Sequence, residues 1–218
     1  MHHSTTAAEI FNKHASLYQE KYMDVNGYAE SLDLFLQLLS NTEGEILDVA
    51  CGPGNITQYV LNKRPGLQIL GIDLAPNMLE LARKNNPTAK FTEMDCRHIS
   101  QLKQRFDGII LGFCLPYLNK DEAIQLVNDA TALLNPKGIL YLSTMEDDYE
   151  KSRMQTSSQG DQLFMYFHQA EYLLAAMEAK NLEPVYLKRL AQPGAETAAP
   201  PDLVIVAKLV DSARPAFI

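Results

Sequence analysis

The sequence is poor in basic residues. It has 19 Lys and Arg against 27 Asp and Glu, which gives a formal net charge of −8. Proteins that hold a nucleic acid along its phosphate backbone need clustered Lys and Arg side chains, because those contacts supply most of the non-specific affinity. The acidic balance therefore disfavours a nucleic-acid partner, and we expect none.

Cysteine is scarce and long apolar runs are lacking. The three cysteines, Cys51, Cys96 and Cys114, form no Cys-x-x-Cys pair, and their odd number and wide spacing favour neither a disulfide framework nor a structural metal site. No apolar run is long enough to span a bilayer. The N-terminus lacks the basic region followed by an apolar one that marks a signal peptide. We therefore expect a cytoplasmic protein with reduced thiols, no metal and no membrane partner.

What the sequence has instead is a regular alternation of strand-like and helical segments. Two N-terminal helices are predicted over 9–19 and 31–39, and strands then alternate with helices; the first five strands are predicted at 44–50, 67–74, 89–95, 106–113 and 138–145. A strand at 163–169 and a helix at 170–181 follow. The last two strands, 183–190 and 202–210, are joined by a Pro- and Ala-rich loop and predict an antiparallel hairpin at one edge. Buried strands separated by helices indicate a mostly parallel sheet with helices on both faces.

The first predicted strand runs into the loop ILDVACGPGN at 46–55. In open α/β sheets ligands bind beyond the carboxyl ends of the strands, and glycine there lets the backbone approach a ligand closely. Gly52 and Gly54 occupy that place. The dinucleotide pattern G-x-G-x-x-G, counted from Gly52, needs a third glycine where this chain has Thr57. An NAD(P)-dependent oxidoreductase is therefore the weaker alternative.

Five segments in order carry a resemblance to a known family. They are ILDVACGPGNIT, GIDLAPNMLELAR, FTEMDCRHI, FDGIILGFCLPYL and LLNPKGILYLST, and they lie within 43–144. They resemble the motifs of class I S-adenosylmethionine-dependent methyltransferases, with Ala50 in place of the first glycine of the first motif. The resemblance implies a Rossmann-like fold: a seven-stranded, mostly parallel sheet with an antiparallel closing hairpin and helices on both faces.

The resemblance also implies a reaction. The cofactor would be S-adenosylmethionine, with S-adenosylhomocysteine as product, and the methyl group would pass by in-line displacement to an O or N nucleophile of a small-molecule acceptor. A catalytically silent S-adenosylmethionine-binding subunit remains an alternative. We expect a monomer or a homodimer.

A division of the single domain, residues 1–218, follows from the same resemblance. The expected parts are an N-terminal helical cap at 1–42, a cofactor-binding core at 43–145, an insertion at 146–168, and a C-terminal helix with the hairpin at 169–218. The first part of the insertion, 146–162, is polar and too long for an ordinary connection. It predicts a lid that is mobile in the empty protein and ordered when ligands are bound.

Three acidic residues have specific roles in the resemblance. Asp73, which ends the second strand, would accept hydrogen bonds from both ribose hydroxyls, and the alternative is a cap for the next helix. Asp48 would order the first loop and help to hold the methionine amino group, although an acid bonded only to loop N–H groups is equally compatible with its position. Asp95 would receive the adenine amino group, and the alternative is an aspartate in a turn.

The remaining implied cofactor contacts are made by small or apolar residues at the strand ends. Leu74 and Met78 would pack near the adenine, and Cys96 would offer its backbone N–H to the ring. Backbone contacts are implied for the first loop and for the end of the fourth strand: Ala50, Cys51, Gly52, Gly54, Gly112 and Phe113.

Aromatic residues recur in the first predicted helix. His14, Tyr18 and Tyr22 are four residues apart and share one broad face. The resemblance suggests that this helix folds over the cofactor, where Tyr18 and Tyr22 would exclude water. Packing of these rings on the core is the alternative.

Tyr117 and His168 are the candidate catalytic residues. Amino-group methylases of bases carry [Asn/Asp]-Pro-Pro-[Tyr/Phe] where this chain has Cys114-Leu115-Pro116-Tyr117. A thiol is a poor acceptor, so base methylation is disfavoured while Tyr117 is still expected to line the pocket. His168 would be a base for an O–H or N–H nucleophile, because histidine titrates near neutrality. A surface or capping histidine is the alternative.

Overall fold

Seven of the strands pair into one mixed sheet. The computed structural model describes residues 3–157, 159–191 and 199–210. In these ranges the main sheet has the order β3-β2-β1-β4-β5-β9-β8, in which β1 to β5 are parallel and β9 is antiparallel to both of its neighbours. The strands are β1 Glu45–Val49, β2 Gln68–Asp73, β3 Lys90–Glu93, β4 Phe106–Gly112, β5 Leu134–Met145, β6 Arg153–Thr156, β7 Gln162–Met165, β8 Leu182–Leu190 and β9 Asp202–Leu209. The fold predicted from the sequence is confirmed.

Seven helices accompany the strands in the described ranges. They are α1 His3–Lys13, α2 Ala15–Tyr22, α3 Ala29–Leu38, α4 Asn55–Lys63, α5 Pro76–Asn85, α6 Lys120–Leu133 and α7 Ala170–Glu178. None of the helices described is long and apolar enough to cross a membrane.

The central strands are mostly apolar because both faces of the main sheet are buried. Ile46 and Leu47 are neighbours in β1 and both are fully buried, yet they belong to opposite sides of the sheet. The side that holds Leu47 packs against α6 and α7, whereas the side that holds Ile46 packs against α3 and α4. Helices on both faces are what a parallel sheet requires.

The strand order reverses at β1. Leu47 of β1 pairs with Leu70 of β2 on one side and with Ile109 of β4 on the other. After β1 the chain adds β2 on one side of it and later adds β4 on the other side. This reversal opens a crevice at the carboxyl ends of these strands.

The N-terminal region differs from the prediction of one helix over 9–19. The structure has two helices separated at His14, which has a non-helical backbone (φ −110°, ψ 22°). The polar sequence on both sides of His14 hid this break, because both halves have ordinary helix-forming residues.

The predicted insertion contains structure that its sequence did not indicate. A 3-10 turn spans Tyr149–Lys151, and β6 and β7 form an antiparallel hairpin outside the main sheet. The strand predicted at 163–169 is correspondingly shorter and pairs with β6. The sequence of β6, RMQT, is mostly exposed and polar, so no run of apolar residues marks it as a strand.

This hairpin is attached at both of its ends. Asp161 receives Lys13 Nζ at 2.9 Å and contacts His14 Nε2 at 2.5 Å. On the other side the Tyr166 N–H donates to Pro116 O at 2.9 Å, in the turn after β4. The hairpin thereby joins the N-terminal helices to the carboxyl edge of the sheet. Most of the loop predicted between β8 and β9, residues 192–198, lies outside the described residues.

Candidate functional site

A cavity that is partly open to solvent lies at the carboxyl ends of the central strands. Its floor comes from β1, β2, β4 and the loops that follow, and its roof comes from the N-terminal helices. The lining residues are Ala7, Ala8, Phe11, Tyr18, Ala50, Gly52, Asp73, Leu74, Met78, Met94, Asp95, Cys96, Gly112, Phe113, Cys114, Tyr117 and Leu118.

The loop after β1 is curled by left-handed backbone. Ala50, Gly52 and Gly54 have φ angles of 53°, 54° and 78°. Glycine adopts such angles freely, whereas a residue with a Cβ is strained by roughly 1–2 kcal/mol. The strain at Ala50 shows why the family motif has glycine at that position, and strained backbone of this kind is concentrated at functional sites.

Asp73 holds this loop in place from the end of β2. Its Oδ2 accepts the Gly52 N–H at 2.9 Å, and its Oδ1 accepts the Ala75 N–H at 2.8 Å. Burial raises the pKa of this carboxyl, and the backbone hydrogen bonds oppose that rise. Each oxygen keeps a second acceptor position, and the residue lines the cavity.

Asp48 lies beneath the loop and outside the cavity lining. It is 1% exposed, and its Oδ2 accepts the Thr57 hydroxyl at 2.6 Å. Burial raises its pKa to about 7, while the hydrogen bonds from Thr57 act in the opposite direction. In this position Asp48 ties β1 to the first turn of α4.

Asp95 is engaged by an arginine two residues later. Its carboxylate accepts the Arg97 backbone N–H at 2.9 Å and also receives the Arg97 guanidinium, which contacts Glu122 at 3.3 Å as well. Burial alone would raise the pKa of Asp95, but the bonds from Arg97 outweigh it and the pKa is lowered. Asp95 therefore lines the cavity as a carboxylate, and it also caps the 3-10 turn Cys96–Gln101.

An aromatic wall closes the cavity on the side of the N-terminal helices. Phe11 contacts Tyr18 and Tyr117 edge to face, with ring centroids 5.6 and 5.1 Å apart. Neither Tyr18 nor Tyr117 has a hydrogen-bond partner for its hydroxyl among the described residues. Burial raises the pKa of both phenols, so both are neutral at physiological pH.

The structure brings most of the predicted site residues together. The predicted residues that line the cavity are Tyr18, Ala50, Gly52, Asp73, Leu74, Met78, Asp95, Cys96, Gly112, Phe113 and Tyr117. Those outside the lining are Tyr22, Asp48, Cys51, Gly54 and His168. Tyr22 is 44% exposed and contacts Tyr18 with the rings tilted by 43° and their centroids 4.6 Å apart, so it lies behind the wall. Cys51 is buried and Gly54 begins α4, so both support the loop.

Six lining residues were not predicted as site residues. They are Ala7, Ala8, Phe11, Met94, Cys114 and Leu118. Phe11 carried a signal, because in the helix predicted over 9–19 it lies seven residues before Tyr18 and on the same face. In the structure the helix is interrupted at His14, and the two rings contact each other across that break. Ala7 and Ala8 offer no such signal, because an alanine fits any position of a helix and does not indicate which face lines a cavity.

His168 does not face the cavity, and the prediction of a surface or base histidine does not match its position. It is fully buried, with Nε2 at 2.8 Å from Leu115 O and Nδ1 against the Tyr172 hydroxyl. Burial lowers its pKa to about 4. Its contact with Leu115 anchors the turn that carries Tyr117, so its role is structural support of the wall.

The lowered pKa of His168 makes stability depend on pH. The unfolded histidine titrates near 6.5 and the folded one near 4, so the unfolded chain takes up the proton first as pH falls. The stabilising contribution is complete above pH 6.5 and is lost towards pH 4. Between pH 7 and pH 5 the wild type should lose about 2 kcal/mol that His168→Gln does not lose.

Urea unfolding at the two pH values measures this difference. The control is His98→Gln, which changes an exposed histidine and should keep the wild-type pH dependence. An unchanged pH dependence in His168→Gln would contradict the buried, neutral state of this side chain.

The cysteines and other metal-ligating side chains are dispersed. Cys51, Cys96 and Cys114 are free thiols, and burial raises the pKa of each. Within 3–157, 159–191 and 199–210 no group of three or more His, Cys, Asp or Glu side chains could hold a metal ion.

Comparison with known proteins agrees with this architecture. A family model described as a methyltransferase domain matches residues 46–138. A malonyl-[acyl-carrier protein] O-methyltransferase of Acetivibrio thermocellus is 31% identical over 136 residues, which cover 62% of this chain and 47% of that protein. A trans-aconitate 2-methyltransferase of Shigella flexneri is 36% identical over 102 residues, which cover 47% of this chain and 39% of that protein. The chain thus spans about half or less of these curated relatives.

A solved structure extends the likeness to nearly the whole fold. The 1,6-didemethyltoxoflavin-N1-methyltransferase of Burkholderia thailandensis, with its substrate and S-adenosylhomocysteine bound, is similar with a TM-score of 0.70 and 22% identity, over 95% of this chain and 88% of that one. The strand order, the acid at the end of β2 and the family match in 46–138 are consistent with one another. Residues 46–138 of the chain thus match a methyltransferase domain, and the described fold is that of the solved methyltransferase.

Proposed function

We propose that this protein transfers a methyl group from S-adenosylmethionine to an oxygen or nitrogen atom of a small molecule. The observation that carries the proposal is Asp73, which is exposed to a cavity at the strand-order reversal and is held there by the Gly52 N–H. A carboxylate in that place, beside a loop with little side-chain bulk, suits the neutral sugar of a nucleoside.

The residues present fit the cofactor by their donor and acceptor chemistry. The two free acceptor positions of Asp73 match the two ribose hydroxyls, and hydrogen bonds to a charged group are stronger than neutral ones. Leu74 and Met78 give an apolar surface for the adenine, beside Asp95 and the backbone of Cys96. Asp48 is assigned the supporting role of ordering the first loop through Thr57.

The protein has to align the reacting atoms and exclude water. When bound, S-adenosylmethionine supplies a methyl group that its positively charged sulfur has already activated. The backbone of Gly112 and Phe113 ends β4 at the cavity, and Phe11, Tyr18 and Tyr117 close the opposite wall. Holding the acceptor between these walls raises its effective concentration, and closure keeps water away.

Calorimetry tests the proposal. S-adenosylmethionine and S-adenosylhomocysteine should both bind, because Asp73 and the first loop are arranged for their common nucleoside. NAD and NADP should give no heat, because the loop lacks the third glycine of the dinucleotide pattern. Binding of NAD without binding of S-adenosylhomocysteine would reverse the proposal. Product formation with an acceptor would then separate an active enzyme from a silent binding subunit.

A further inference from the structure

The side chains that line the cavity include acids but, among the described residues, no base. The charged members are Asp73 and Asp95, and none of the lining residues is Lys, Arg or His. Arg97, two residues after Asp95, does not line the cavity and is bound to Asp95 and Glu122. An anionic ligand in this cavity would therefore have no positive partner among the described side chains that line it.

The lack of basic side chains in the lining matters because the names of two relatives state methyl acceptors that are anionic. Trans-aconitate carries three carboxylates, and the malonyl group of malonyl-[acyl-carrier protein] carries one. A carboxylate inside the present cavity would lose its hydration and lie near two fixed carboxylates. Burying a charge without a partner is costly, and like charges at short range add to that cost.

The wall opposite the proposed cofactor-binding residues consists of aromatic side chains and carries no acid. Phe11, Tyr18 and Tyr117 form an edge-to-face cluster, and the small side chains of Ala7 and Ala8 leave space beside it. The phenols of Tyr18 and Tyr117 are neutral and have no partner for their hydroxyls among the described residues. Aromatic rings favour a flat, apolar neighbour, and a free phenol can bond one polar atom on it.

From these observations, and on the basis of the function proposed above, we infer that the methyl acceptor is an uncharged planar molecule, aromatic or heteroaromatic, bound between the aromatic wall and the end of β4. The phenols of Tyr18 and Tyr117 give it polar contacts. Carboxylates are excluded by the acidic, cation-free lining.

Matched ligand pairs test the inference by binding rather than by turnover. The protein, saturated with S-adenosylhomocysteine, is titrated in a calorimeter with nicotinamide and nicotinate, and with catechol and 3,4-dihydroxybenzoate. The two members of each pair share a ring and differ by a carboxylate. The neutral member should bind at least about tenfold more tightly than its carboxylate partner, the effect of one uncompensated charge pair in a partly solvated site.

A charge variant shows whether the cavity itself makes this distinction. Ala8→Lys places an ammonium group in the lining and should bring the ratio of affinities for neutral and carboxylate ligands towards one. Ala175→Lys, on the exposed surface of α7, changes the net charge equally and should leave the ratio unchanged. Circular dichroism confirms that both variants are folded.

The outcomes separate the two proposals. Equal or tighter binding of the carboxylates overturns the inference, and so does the absence of binding by either member of both pairs at their solubility limits. A ratio that Ala8→Lys does not change also overturns it. Failure of S-adenosylhomocysteine to bind counts against the proposed function instead, and the same pairs are then titrated into the free protein.

Discussion

Asp73→Ala should weaken S-adenosylmethionine binding by about 2–4 kcal/mol, which is roughly 30-fold to 1000-fold. The substitution removes both charged acceptors for the ribose. It also leaves the Gly52 N–H without its partner, so the first loop is less well fixed. The Ala75 N–H loses its bond as well, at the start of α5. Calorimetry with S-adenosylhomocysteine measures the loss.

Asp73→Asn is the matched variant for this experiment. The amide keeps the shape and one acceptor oxygen but loses the charge, and its NH₂ group faces a backbone N–H. Affinity should therefore fall in the order wild type, Asn, Ala. Thermal unfolding of each variant separates lost binding from lost fold. Wild-type affinity in the folded Ala variant would mean that the ribose lies elsewhere.

Gly54→Ala should destabilise the fold by about 4 kcal/mol, the sum of left-handed strain and overpacking. The backbone φ is 78°, and a Cβ on this residue would lie 2.4 Å from Asn86 Nδ2. Asn86 is 3% exposed, and its amide donates to Gly54 O at 3.0 Å and to Ala82 O at 3.3 Å. The side chain cannot move away without taking its buried amide from both acceptors, and an amide left without partners adds to the loss.

Gly160→Ala separates the two causes. Gly160 has a similar φ of 83°, but a Cβ there meets no atom within 4 Å. It should therefore lose only the strain of the left-handed backbone, about 1 kcal/mol. Urea unfolding of both variants gives the comparison. Similar losses in the two would show that the packing of α4 against Asn86 does not matter.

The parallel sheet could be predicted because its strands are apolar on both faces. Ile46 and Leu47 are adjacent and both buried, as is usual for a strand covered on both faces. The hairpin of β6 and β7 could not be predicted in this way. Its strands are short and exposed, and it is held mainly by Asp161 and by the backbone of Pro116, contacts that join residues far apart in sequence.

The site residues that lie at the ends of strands could be predicted from the sequence. Asp73 ends β2 and Asp95 follows β3, and the parallel arrangement brings them to one edge. Tyr117 follows β4 in the same way. His168 was misplaced, because its sequence shows a polar residue between a strand and a helix but not the turn at Leu115 that covers it. When a residue is buried by a segment distant in sequence, the residues around it show no pattern that indicates the burial.

The cavity draws its described lining from residues 7–118 alone, although β5, α6, α7, β8 and β9 come later in the chain. The later elements complete the sheet and cover its faces, and among the described residues they support the lining from behind, as Ser143 of β5 does by accepting the Phe113 N–H at 3.0 Å. The choice of the proposed acceptor can therefore be varied through α1, α2 and the turn after β4, whose side chains line the cavity, without changes in the described later strands. A mutant library designed for new acceptors should vary those segments. The remaining residues should be kept unchanged, because changes at a functional site often lower stability and the rest of the chain has to provide it.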